Sequence, residues 1–259
     1  MKLTIYYLAA VLTVLTLAAC GNDEKKEPPY ESPTGPTEET EEPGTKTNEY
    51  LQFLQDNGYV EEAILSDDDR VTSVQFCTDS VRIMLSRAQD VLKKLLDMGE
   101  YDELREMEIL PNSGDYTAQG YEQYYKGILV DGGEYCIIAK GGVIESVSGN
   151  FYPVGEVDVT PRITEKQALQ YAMDYIGAES YKWQIPEEEE KLKEHFGQEK
   201  TYFPSGELFI VKDWLITNSV YRLAYRFDIY AHEPGSRDFV DVDAITGTIL
   251  NKTSRILFD

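Results

Sequence analysis

Between residues 121 and 151 the chain alternates runs of aromatic and β-branched residues with glycine pairs, and this stretch constrains the fold most. Residues 121–130, 134–139 and 143–151 read as strands. Asp131-Gly132-Gly133 and Lys140-Gly141-Gly142 read as the turns between them, because primed hairpin turns need positive φ. The stretch predicts an antiparallel meander. A second strand signal is stronger still. Tyr221, Leu223, Tyr225, Phe227 and Ile229 alternate with Arg222, Ala224, Arg226, Asp228 and Tyr230, the period of a half-buried strand. Residues 207–212 form another strand, and residues 237–243 and 248–252 flank Ala244-Ile245-Thr246-Gly247 as a hairpin.

Helical periods lie between these runs. Residues 49–57 predict a short helix closed by Gly58. Residues 79–97 carry Val81, Met84, Leu85, Ala88, Val91, Leu92, Leu95 and Leu96 on one stripe, the clearest helical signal of the chain. Thr164-Glu165-Lys166-Gln167 is a capping box, opening a helix whose inner face is Ala168, Leu169, Ala172, Tyr175 and Ile176 and which ends at Gly177. Residues 187–196, with four consecutive glutamates, read as a solvated helix. Helices and antiparallel strands in two successive sets define an α+β fold of two helix-plus-sheet units, residues 49–155 and 156–259.

The N-terminal residues are of a different kind. Lys2, the apolar run 3–17 and Leu17-Ala18-Ala19-Cys20 read as a lipoprotein signal peptide over residues 1–19, cleaved before a Cys20 that carries lipid. The run is shorter than the ~20 residues a spanning helix needs. Residues 20–48 are rich in Pro, Gly, Thr and Glu, too poor in apolar area to offset chain entropy, and read as a disordered acidic tether. The expected location is extracytoplasmic, on the bacterial outer membrane or cell surface, with lipid as the membrane contact. Cys77 and Cys136 would then sit in a disulfide-permitting compartment, and the sequence leaves open whether they are bridged or free. A net charge of -23 argues against nucleic acid and anionic lipid as partners.

Catalytic chemistry has few candidates. The histidines are His195 and His232. His232-Glu233 opens a zinc-protease pattern, but Pro234-Gly235 breaks the helix that pattern needs, and Ser236 stands where the second histidine belongs. No G-x-S-x-G elbow or phosphate-cradling loop is present. Asp67-Asp68-Asp69 and the pair Asp241 and Asp243 lack the donor spacing of a calcium loop and read as solvated turns. No enzyme activity, metal or cofactor is expected.

Two stretches nevertheless have a familiar order. The first is Tyr121-Glu122-Gln123-Tyr124-Tyr125-Lys126-Gly127-Ile128-Leu129-Val130, then Gly133-Glu134-Tyr135, Gly142-Val143-Ile144 and Ser146-Val147-Ser148-Gly149-Asn150-Phe151-Tyr152. It resembles the fungalysin/thermolysin propeptide motif. The second is the helix 163–176, the strand 221–230 and Val240-Asp241-Val242-Asp243-Ala244-Ile245-Thr246-Gly247-Thr248-Ile249-Leu250, which resembles the PepSY-like half of the same propeptides. The resemblance implies a module that folds and inhibits a thermolysin-like zinc metalloprotease, here without the protease domain. It implies that inhibitory contact lies near the C-terminal end, on Arg255, Ile256, Leu257 and Phe258. The alternatives are a cell-surface binding module without a protease client and the non-catalytic stub of a truncated precursor.

Overall fold

The computed structural model describes residues 48–107, 114–213 and 220–255. The signal peptide, Cys20, nearly all of the tether, and Ile256, Leu257 and Phe258 lie outside the described residues.

The fold is α+β. Among the described residues, eleven strands form one mixed sheet. Helix α1 (Glu49–Asp56) leads to strands β1 (Val60–Leu65) and β2 (Val71–Phe76), which pair antiparallel around the Asp67–Asp69 turn. Helix α2 (Ala88–Leu95) follows, then β3 (Asp102–Met107), β4 (Tyr116–Tyr125), β5 (Ile128–Lys140) and β6 (Val143–Asn150) as an antiparallel meander. The second half comprises α3 (Glu165–Ile176), β7 (Ser180–Tyr181), α4 (Pro186–Phe196), β8 (Glu207–Lys212), β9 (Tyr221–Glu233), β10 (Ser236–Asp243) and β11 (Ile249–Ser254).

The expected long helix over residues 79–97 is corrected to α2 with one preceding 3₁₀ turn (Leu85–Arg87). Met84 bridges Val143, the Leu85 amide donates to the Gly142 carbonyl and the Ile144 amide to the Ile83 carbonyl. Tertiary pairing takes the main chain that a longer helix would have used; the fully buried part of the stripe begins at Ala88, with Leu85 half-buried against the same core. The first expected turn also moves. Chain reversal between β4 and β5 occurs at Lys126-Gly127, both with positive φ, whereas Asp131-Gly132-Gly133 lies inside β5.

Two cores flank a seam. Leu51, Leu54, Val91, Leu92 and Leu95 of α1 and α2 pack against Val74, Phe76, Tyr121, Tyr135, Ile137, Ile144 and Val147 of the sheet. Ala168, Leu169 and Ala172 of α3 pack against Phe227, Ile229, Val240 and Val242. Tyr175 was expected inside and is 54% exposed; Ala168, Leu169 and Ala172 are the buried residues of α3. The Thr164 capping box and the left-handed Gly177 end that helix as expected. Helix α4 buries no residue, in keeping with its glutamates.

Strands from both sides of residue 155 belong to one sheet. Leu129 and Val130 at the start of β5 pair in parallel with Phe209 and Ile210 of β8, while the later part of β5 pairs with β6. At this fork Tyr125, Val130, Val154, Val157, Ile210 and Tyr221 form a third small core.

Candidate functional site

The residues of the first familiar stretch build a lock between strands. Gln123 of β4 has no exposed surface. Its side-chain amide donates to the Tyr152 carbonyl at 2.7 Å, and the Tyr152 amide donates back to its Oε1 at 2.9 Å. To reach Tyr152, just past β6, the side chain of Gln123 passes against Gly133 of β5. A Cβ there would stand 2.6 Å from Gln123 Oε1 and 2.7 Å from its Cβ. Gly149 meets a parallel constraint, since a Cβ on it would lie 2.1 Å from the Glu134 carbonyl oxygen. The glycines exist because neighbouring chains cross them. Beside the lock, the Tyr135 hydroxyl donates to the Val71 carbonyl and Arg70 donates to the Phe151 carbonyl at 2.7 Å.

The tyrosines of this stretch divide. Tyr121 and Tyr125 are buried in cores. Burial, with Glu106 adding to it, pushes the Tyr121 phenol up to about 12. Tyr124 is half-buried, with the Arg105 guanidinium 3.9 Å above its ring. Tyr152 lies near Tyr221 and beneath Arg70. Near Gln123, burial and then the charges of Glu122 and Asp131 raise the Glu134 carboxyl, and burial raises Asp102 against the amide of Gly99.

The second familiar stretch carries a charged network. Arg226 of β9 donates to Asp241 of β10 at 2.6 and 2.8 Å and to Asp131 of β5 at 2.6 and 3.0 Å, with Phe209 beneath it at 4.6 Å. Burial opposes its charge, yet the two carboxylates hold its pKa above the ordinary arginine value. Asp131, protruding from β5, thus ties the first half of the sheet to the second. Arg222 bridges Asp213 at 2.7 Å and Asp243 at 3.3 Å, and Arg237 binds Asp228. Asp243 also accepts the amides of Ile245 and Thr246, each at 2.8 Å, which shapes the turn before Gly247. The reading of Asp241 and Asp243 as solvated is therefore overturned: both are buried and bound by arginines. Asp68 and Asp69 do sit in an exposed turn.

At the sheet edge, β10 and β11 present the beginning of the expected contact segment. The Arg255 amide donates to the Arg237 carbonyl at 2.7 Å, extending the ladder by one rung. Its guanidinium lies over Phe239 at 4.5 Å, and its Nε is buried without a hydrogen-bond partner. Asp238 accepts Ser254 and Ser236 hydroxyls at 2.6 and 2.7 Å and faces Lys252. Burial raises its pKa, but those hydrogen bonds and Lys252 outweigh it and the net shift is downward.

Cys77 and Cys136 are free thiols. Cys136 is level with Ser148 and, through it, with Ser73 on β2, so Cys77 lies four residues farther along. At about 3.4 Å per residue that is on the order of 13 Å, beyond disulfide reach. Burial raises the Cys136 thiol, and Cys77 contacts the Ser80 hydroxyl at 3.2 Å. His232 and Glu233 end a strand rather than riding a helix. No group of three or more His, Cys, Asp or Glu suited to a metal occurs among the described residues, and no helix there is long and apolar enough to cross a membrane. Sequence reasoning missed the Gln123 lock, because its partner Tyr152 lies 29 residues on.

Comparison with known proteins places a class on part of this geometry. Residues 111–151 match the Fungalysin/Thermolysin Propeptide Motif, a propeptide element and not a catalytic domain. The matched span holds Gln123, Gly133 and Gly149. Among solved structures, the chain is similar to the Bacillus megaterium YpeB C-terminal domain, with 12% identity, 72% of this chain and 73% of that chain covered, and a TM-score of 0.29. No curated protein matches.

Proposed function

We propose that this chain is a lipid-anchored, propeptide-like protein, held outside the cytoplasmic membrane through Cys20, that binds a thermolysin-like zinc metalloprotease and inhibits it or chaperones its folding. The observation that carries this reading is the propeptide motif over residues 111–151. Its polar residues serve the scaffold: Gln123 is consumed by Tyr152 and Tyr135 by Val71. Action on another molecule then falls to a surface. The edge strand β11 suits that role, because a sheet edge that carries no further strand among the described residues can add one from an enzyme cleft.

The test adds the purified full chain to a thermolysin-like protease and follows hydrolysis of a quenched fluorescent peptide, alongside the yield of active enzyme refolded from denaturant. Saturable inhibition, or a raised refolding yield, with loss on deleting residues 256–259, is the expected result. If neither hydrolysis nor refolding changes at any ratio of the two proteins, the reading fails, and a surface binding module without a protease client takes its place.

A further inference from the structure

We propose that a cavity along one face of α2 captures the C-terminal carboxylate of a peptide that ends in an apolar residue. The cavity measures about 260 Å³ and is lined by Tyr50, Arg82, Ile83, Met84, Arg87, Asp90, Val91 and Lys94. Three cations there face one carboxylate, in a chain whose net charge is -23. Such a local reversal of sign marks a place where a negative group is favoured.

The cations are differently engaged. Arg87 pairs with Asp90 at 2.9 Å, and both are exposed. Lys94 stands 5.2 Å from the centre of the Tyr50 ring. Arg87 is near enough to that tyrosine to counter the upward push of burial on its hydroxyl. Arg82 has no ion pair or hydrogen bond among the described residues. The segment that presents it is fixed, because Ile83, Met84 and Leu85 are pinned to the Gly142–Ile144 main chain.

Size and lining narrow the ligand. The volume falls below the roughly 300–1,000 Å³ of sites for drug-sized molecules, which leaves room for about one residue. Ile83, Val91 and the exposed Met84 form an apolar wall, and methionine accommodates varied side-chain shapes. An apolar side chain against that wall, with its own carboxylate among Arg82, Arg87 and Lys94, satisfies both halves of the cavity. A carboxylate also matches the forked donors of arginine. This site is remote in sequence from the β11 edge, and the proposal does not depend on a protease client.

The experiment uses the full chain and fluorescein-labelled Ala-Ala-Leu-Phe, as the free acid and as the carboxamide, with fluorescence anisotropy at low and high ionic strength. The free acid is expected to bind roughly tenfold or more tighter than the amide, because charge-assisted bonds are lost in the latter. High salt weakens the acid, and Arg82→Glu abolishes the preference. Arg82 is exposed and unpartnered, so that variant keeps its fold, which circular dichroism checks, and Arg82→Lys retains part of the preference. Equal binding of acid and amide, no binding of either, or an acid preference intact in Arg82→Glu overturns the proposal. Inorganic phosphate binding in place of the peptide acid overturns it as well.

Discussion

Replacing Gln123 by leucine tests whether the propeptide-motif stretch is a scaffold lock. Leucine keeps much of the volume and removes both hydrogen bonds to Tyr152, at 2.7 and 2.9 Å. Each main-chain group left without a partner costs about 1–3 kcal/mol when buried. Tyr152 is half-buried, so water reaches part of the exposed pair and the total falls toward the lower end, about 2–3 kcal/mol. For a domain with a typical stability of about 5–15 kcal/mol that is a large fraction. The assay is urea denaturation, read as a shift in midpoint at constant slope, together with hydrogen exchange at the Tyr152 amide. Gly133→Ala is the companion, since its Cβ would meet the Cβ of Gln123 as well as its hydrogen-bonded side-chain oxygen. That overpacking costs about 1–3 kcal/mol. An unchanged midpoint with unchanged protection at Tyr152 in Gln123→Leu would refute the lock.

Arg226→Met leaves Asp241, which is 2% exposed, buried without its cation, and is expected to cost about 3–5 kcal/mol in the same denaturation assay. Adding Asp241→Leu should recover most of the loss, whereas removing a surface pair would show neither effect. The depressed pKa of Asp238 makes its contribution to stability fully present above the unfolded aspartate value near ~4 and lost as pH falls through the lower folded value. Asp238→Asn should therefore flatten the acid limb of a midpoint-versus-pH curve and leave its neutral region parallel to wild type; an unaltered acid limb would count against that assignment.

What the sequence revealed was local. The Thr164 capping box and the alternation along β9 each involve a few adjacent residues and one period, and both are in the structure as read. The errors arose where distant chain segments decide. Met84 belongs to the apolar stripe of α2 by spacing, but its main chain pairs with Val143, nearly sixty residues on. Gly132-Gly133 has the composition of a turn, yet Gly133 serves the passage of Gln123, and the chain turns instead at Lys126-Gly127. Asp241 and Asp243 look like surface residues until Arg226 and Arg222 arrive from a neighbouring strand. The cavity beside α2 was invisible for the same reason: Arg82 and Lys94 seemed to share one helix, and the shortened helix places Arg82 on a separate extended segment.

The fork at β5 has a mechanical meaning. Two parallel rungs, Leu129 with Phe209 and Val130 with Ile210, join halves that each own a separate apolar interior. Tension applied across that junction meets little main-chain resistance, so the sheet should part there before either half unravels, with the small core at the fork and the Arg226–Asp131 clasp together setting how much pull is needed.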